Sequence, residues 1–197
     1  IELALMDFAE DNCCNAISCE CWNLFRVKYG VSPCFILGDL NDRGIPAACE
    51  NDVHAAITSV MAVAASRYTT PSFVADLTIR HPENDNAELL WHCGSFAKRL
   101  KKKGVEGYII EQGKGFYELE GGKVTVLRFD GIDGKYYMFA GEAKGVDGPI
   151  TNGNYLWVET DDWVKWEKKF IFGPYIHHVV GIHGSYTQII QEACRYL

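Results

Sequence analysis

Three stretches hold groups that could act together. Cys49-Glu50-Asn51-Asp52 follows the turn Gly44-Ile45-Pro46, Phe73-Val74-Ala75-Asp76 ends on an acid, and Gly173-Pro174-Tyr175-Ile176 leads into His177-His178. In each, a carboxylate or imidazole stands among small or apolar neighbours that a fold would bury. Two acids and an imidazole suit a hard divalent cation with open coordination positions. Such a cation could hold two adjacent oxygens of a sugar and stabilise negative charge developing on them. The stretches lie far apart in the chain, so the chemistry depends on the elements that bring them together.

Those elements show two textures. Up to about Tyr68 the pattern alternates short apolar runs with helix. Ile1–Leu5 opens as an amphipathic helix, Ala16-Ile17-Ser18-Cys19 reads as a strand, and Pro33–Leu37 as a strand or a helix start. Gly44–Glu50 is a turn feeding a buried strand or helix start. Asn51-Asp52 then precedes an alanine-rich helix, Val53–Ser66, whose apolar residues recur at helical spacing. Alternation of this kind suggests an α/β layer with a parallel sheet. Ligands gather at the carboxyl ends of such strands, which is where Glu50 would sit. From Glu106 to Phe172 the chain changes. Lys123–Phe129, Tyr136–Ala143 and Asn154–Glu159 read as strands separated by glycine-bearing turns, the pattern of an antiparallel barrel or sandwich. Asp161–Lys169 reads as a short helical crossover with Trp163 and Trp166 as packing anchors.

Bulk composition narrows the function. Hydrophobic residues make up 48% of the 197, enough for a substantial core, and the net charge of −7 argues against a nucleic-acid partner. The basic run Arg99–Lys103, closed by Gly104, is expected to be a solvated helix end. No apolar stretch reaches the ~20 residues of a membrane span, and no secretory signal opens the chain. Eight cysteines follow neither a disulfide framework nor paired Cys-x-x-Cys zinc units, so reduced thiols in a cytoplasmic protein are expected. Both ends stop inside helical patterns (Gln188–Leu197 at the carboxyl end), which reads as a piece of a longer protein.

In order, Asn15-Ala16-Ile17 with Cys21-Trp22, Gly44–Asp52, Phe73–Asp76, Trp91-His92-Cys93-Gly94, Gly122–Arg128 and His177-His178 run the length of the chain. Together they make it resemble the carboxyl-terminal part of the L-fucose isomerase and L-arabinose isomerase group. The resemblance implies the end of an α/β domain over residues 1–68. It implies a six-stranded Greek-key antiparallel β-barrel domain with a few helices over 69–197. It also implies Mn²⁺, or another divalent cation, held by Glu50, Asp76 and His178, with His92 as a further candidate ligand. Glu50 and Asp76 would double as a catalytic base and acid on opposite faces of a pentose or 6-deoxyhexose, interconverting aldose and ketose through an ene-diol. Trimers or hexamers are common in that group. An Asp as second acid, combined with a histidine at His92, mixes the fucose and arabinose patterns and leaves the sugar open.

The remaining polar residues have plainer readings. Asp52 is placed to cap the helix that starts at Val53. His54 is structural or surface, His81 belongs to a polar loop, and His177 orients its neighbour. His183 stands between a pocket wall and a structural role. Two other classes stay open: a sugar-recognising or regulatory module without chemistry, and a metal-dependent hydrolase or lyase on another fold.

Overall fold

The computed structural model describes residues 1–110 and 113–196. Glu111, Gln112 and Leu197, which fall within the expected barrel segment, lie outside the described residues. The chain begins with helix α1 (Glu2–Asp11), strand β1 (Ile17–Ser18) and a π-helical segment, Cys21–Lys28. The Glu20 carboxylate starts that segment by accepting the backbone N–H groups of Asn23 and Leu24 at 3.0 and 3.1 Å. Helix α2 (Cys34–Asp42) comes next, with Pro33 at its start, where a missing N–H costs nothing. This resolves the Pro33–Leu37 alternative in favour of helix. Strand β2 (Ala47–Ala48) pairs in parallel with β1. Buried Asn41 fixes β2 by donating to the Ala47 carbonyl and accepting the Ala47 N–H.

Helix α3 (Val53–Ala65) starts at Asp52, whose Oδ1 accepts the Ala55 N–H at 2.8 Å. Its alanines present a thin face, so the helix lies close against the barrel. Ala55, Ala56, Ala62 and Val63 pack on Val74, Leu127, Val180 and Ile182. The segment before residue 68 therefore shares a core with the barrel strands.

Six strands close the barrel: β3 (Ser72–His81), β4 (Asn84–His92), β7 (Gly122–Ile132), β8 (Lys135–Val146), β9 (Asn154–Glu159) and β10 (His178–His183). Around the ring the order is β4, β3, β10, β7, β8, β9 and back to β4, every neighbour antiparallel. Three consecutive strands, β7, β8 and β9, pair in turn, and β10 returns beside β7, which is a Greek key. Outside the ring, β6 (Lys114–Glu118) runs parallel to β9, and β5 (Tyr108–Ile110) pairs with β6. The lumen is filled by Phe73, Ala75, Leu90, Val124, Val126, Phe139, Leu156 and Val179. Helix α4 (Trp163–Phe172) packs Trp166 against Phe139 and into the space that Gly141 leaves open. Trp163 is buried as well, as its anchor reading expects.

Three details refine the expected picture, and one of them, the basic run, corrects it. Strands β3, β4 and β10 complete the barrel although their sequences mix polar with apolar residues, because one face of each looks outward. The basic run forms a single turn, Lys98–Leu100, instead of a helix end. Its cations find partners in other elements: Lys102 meets Glu118 at 2.7 Å and Asp147 at 3.0 Å, and Arg99 meets Asp42 at 3.3 Å. At the carboxyl end the helical pattern becomes α5 (Thr187–Ala193) and one tight turn, Cys194–Tyr196. Among the described residues no helix is long and apolar enough to cross a membrane.

Candidate active site at the seam between barrel and α/β segment

Side chains alternate across a strand, so parity decides which ones face the lumen. In β3, Phe73 and Ala75 point inward, so Val74 and Asp76 point outward. In β10, Val179 points inward, so His178, Val180 and Ile182 point outward. Asp76 and His178 are direct partners in the β3–β10 register. Directly opposed residues share a face, so both stand on the outer wall beside the contact with α3. Glu50 arrives from the other side, two residues beyond the end of β2. Glu50 and Asn51 both have left-handed backbones, with φ of 60° and 58°, a costly conformation for residues other than glycine. The turn is held by Asn51 N–H donating to the Cys19 carbonyl at 3.1 Å and Asp52 N–H donating to the Cys49 carbonyl at 3.2 Å.

The three expected ligands converge. His178 Nε2 lies 3.5 Å from Glu50 Oε2 and 3.4 Å from Asp76 Oδ1. His178 Nδ1 is 2.9 Å from Asp52 Oδ2. With the Nδ1 proton donated to that carboxylate, the Nε2 lone pair points at two more carboxylate oxygens. Asp76 Oδ1 is buried and accepts no hydrogen bond within the described structure. Two carboxylate oxygens facing one imidazole lone pair are repulsive until a cation separates them. A carboxylate orienting the far nitrogen of a ligating imidazole is also the usual support of such a site. On both counts the residues fit a hard divalent cation.

Asp52 does more than cap α3. Its Oδ2 also accepts from fully buried Arg128 at 2.6 Å, and Arg128 Nε donates to Asp130 at 3.0 Å. Burial pushes the Asp52 carboxyl upward, but hydrogen bonds from His178, Arg128 and the Ala55 N–H outweigh it and hold it well below the usual range. Burial raises the Glu50 carboxyl, and the neighbouring histidines only partly offset this. His54 faces Asp130 at 3.0 Å, which makes it part of this support. Arg128 and Asp130 escaped the sequence reading because an arginine and an aspartate two apart on a strand carry no signal of their own.

Of the other histidines, His177 stays beside the site, its ligand atom within 4.8 Å of those of Asp76 and His178, and the rest divide by position. His92 is buried, and its Nδ1 accepts the Cys93 N–H at 2.9 Å. The neutral ring therefore carries its proton on Nε2, which has no partner within the described structure. In that tautomer His92 presents an N–H donor. His177 is exposed, stands 3.9 Å from Asp76 and packs edge-on to His178 at 4.7 Å. His183 lies at the far end of β10, where Nε2 meets the Glu120 carbonyl at 2.7 Å. His81 accepts the Glu83 N–H in its loop.

Glu50, Asp76 and His92 line one cavity of about 160 Å³, with Trp22, Arg26 and Lys114 at its margin. A larger groove of about 810 Å³ along Lys123, Glu142 and Asp161 mixes charges of both signs without convergent donors. Chemistry, not size, identifies the site.

Among known proteins, similarity is found to individual relatives. No family model matches the chain. A sulfoquinovose isomerase of Clostridium sp. (strain MSTE9) is 34% identical over 96 residues, which is 49% of this chain and 21% of that protein. One of Priestia megaterium (strain ATCC 12872 / QMB1551) is 27% identical over 194 residues, covering 93% of this chain and 42% of that protein. One of Alkalicoccus urumqiensis is 26% identical over 152 residues, covering 74% and 34%. The similarity is to sugar isomerases. It does not single out the fucose or arabinose type. The chain spans less than half the length of these curated relatives.

Proposed function

We propose that this chain supplies the metal-binding and acid–base groups of an aldose–ketose isomerase. The observation that carries the reading is the meeting of Glu50, Asp76 and the Nε2 of His178. Mn²⁺ is a cation that such a mixed carboxylate–imidazole set can hold. When bound, it would polarise the sugar carbonyl and hold O1 and O2 in one plane. Asp52 fixes the His178 tautomer and ring orientation. One of the two carboxylates takes the proton from C2, the sugar becomes an ene-diol, and the proton returns at C1 while the two oxygens exchange theirs. His92 donates from Nε2 to a sugar oxygen in the cavity. A hydrolase would instead need room for an attacking water beside a separate base, and a binding module would not need two converging carboxylates.

The names of the relatives favour a sulfonated aldose over a pentose or 6-deoxyhexose. Arg26 and Lys114 support that choice, since both line the cavity and neither has an ion-pair partner among the described residues. At about 160 Å³ the cavity is smaller than most ligand sites. The remaining walls would come from outside this chain, by further sequence or a second subunit. The test is ketose formation by the full-length protein with Mn²⁺ on sulfoquinovose, L-fucose and L-arabinose. The sulfonated sugar is expected to turn over best, and Arg26→Ala to raise its KM selectively. Normal turnover by Glu50→Gln would refute the assignment.

A further inference from the structure

Next to the carboxylate–imidazole centre lies a second cluster of different character. Cys21 Sγ is 3.1 Å from Cys49 Sγ, and Cys34 Sγ is 3.5 Å from Cys93 Sγ. The sulfurs of Cys34, Cys49 and Cys93 all lie within 4.8 Å of one another. Cys21, Cys34 and Cys49 are buried and Cys93 is half-buried. Each comes from a different element: the start of the π-helical segment, the first residue of α2, the turn after β2 and the end of β4. We infer that Cys21, Cys34, Cys49 and Cys93 form a four-thiolate zinc site, separate from the Glu50–Asp76–His178 centre.

Geometry and donor chemistry carry this. Four sulfurs around zinc at ~2.3 Å stand about 3.8 Å apart in a tetrahedron; Cys34, Cys49 and Cys93 already meet within 4.8 Å, and Cys21 joins them through its 3.1 Å contact with Cys49. Soft thiolates select zinc, whereas the two carboxylates next door select a hard cation, so the two sites would sort different metals. Cys19 is the internal control. It is buried too, yet it belongs to neither of the close sulfur pairs, which is how a thiol serving only as core behaves. The absence of Cys-x-x-Cys spacing argued against zinc in the sequence. Spacing fails as a guide here because no two ligands share an element.

The site has a use. Cys49 immediately precedes Glu50, and Cys93 immediately follows His92. A metal held by all four thiolates would pin the left-handed turn that presents Glu50 and tie the α/β segment to the barrel. Cys21, Cys34 and Cys93 line the same cavity as Glu50, Asp76 and His92, so the zinc would form one wall of that cavity and its ligands act as positioning residues for Glu50 and His92.

Metal analysis of the full-length protein, purified under reducing conditions without chelator, tests this. One zinc per chain is expected to survive dialysis against EDTA and to be released by a mercurial thiol reagent, read with a zinc-sensitive dye. Cobalt reconstitution should give thiolate-to-cobalt charge-transfer absorption in the near ultraviolet. Asp76→Asn is expected to lose manganese yet keep the zinc. Cys34→Ser and Cys93→Ser are expected to lose the zinc and melt earlier. Should those variants fail to fold, the cobalt spectrum of the unaltered protein decides alone. Less than a tenth of a zinc per chain with all four thiols free, or mass-spectrometric evidence of disulfides among them, overturns the proposal. Zinc without isomerase activity would sink the isomerase reading and leave this one standing; activity in zinc-free protein would do the reverse.

Discussion

The lumen of the barrel and the seam on its outer wall are built from the same strands and do opposite things. The lumen is packed with Phe73, Leu90, Val126, Phe139 and Val179. The seam, one side chain over on β3 and β10, holds Asp76 and His178 against Glu50 and Asp52. This barrel keeps its interior apolar and places its converging carboxylates and imidazole where an outer wall meets another segment. Activity and stability should therefore be separable by choosing odd or even positions on one strand.

Substitutions can break that separation. The largest effect is expected from Glu50→Gln in the full-length protein, a fall in kcat of at least ~1,000-fold, or about 4 kcal/mol, with an unchanged melting temperature. A parallel loss of stability would mean the seam is also core. In the lumen, Phe73→Ala should cost ~3–5 kcal/mol of folding free energy. Denaturant titration measures it, and the folded fraction should keep its metal affinity. Asp52→Asn blurs the boundary, because Asp52 caps α3, orients His178 and neutralises Arg128. Calorimetric titration with Mn²⁺ should show ~10–100-fold weaker binding, together with a lower melting temperature.

Glu88 sharpens the contrast from inside. It shares the inward parity of Leu90 and is buried, and burial pushes its carboxyl up to about 7, despite Arg80 pulling it down. Between the ordinary value of 4.5 and about 7 the folded chain holds a proton that the unfolded chain has lost. Stability therefore falls as pH rises through that window. Glu88→Gln should remove the fall and raise the melting temperature at pH 8 by about 5 °C, with little change at pH 5. Equal shifts at both pH values would show that titration is not the cause. The smallest effect belongs to Arg67, left-handed (φ 55°) just past α3. Arg67→Gly should stabilise by ~0.5–1 kcal/mol without touching activity.

Much of this organisation was legible in the sequence, for reasons tied to particular residues. The alanine run after Asp52 announced α3 and its cap. The glycine turns between Lys123 and Glu159 marked β7, β8 and β9. Glu50, Asp76 and His178 were singled out by an ordered resemblance, because nothing in their spacing says that they meet. Strands β3 and β4 were missed as strands because an outward face carrying Asp76 and Thr78 dilutes the apolar signal. The Arg128–Asp130–His54 support and the thiol cluster were invisible for a related cause: each joins residues from separate elements, and only packing brings them together. His92 shows a finer limit. Its place in the site could be guessed, but its tautomer depends on one backbone N–H, that of Cys93.

The β3–β10 register has a genetic corollary. Because strand faces alternate, deleting or inserting one residue between Gly173 and His177 would shift β10 by a step and rotate the imidazole of His178 towards the apolar interior. The barrel could still close on a similar hydrogen-bond ladder, yet the wall proposed for catalysis would be blank. Loop length at this joint should therefore be far less free to vary than its residues.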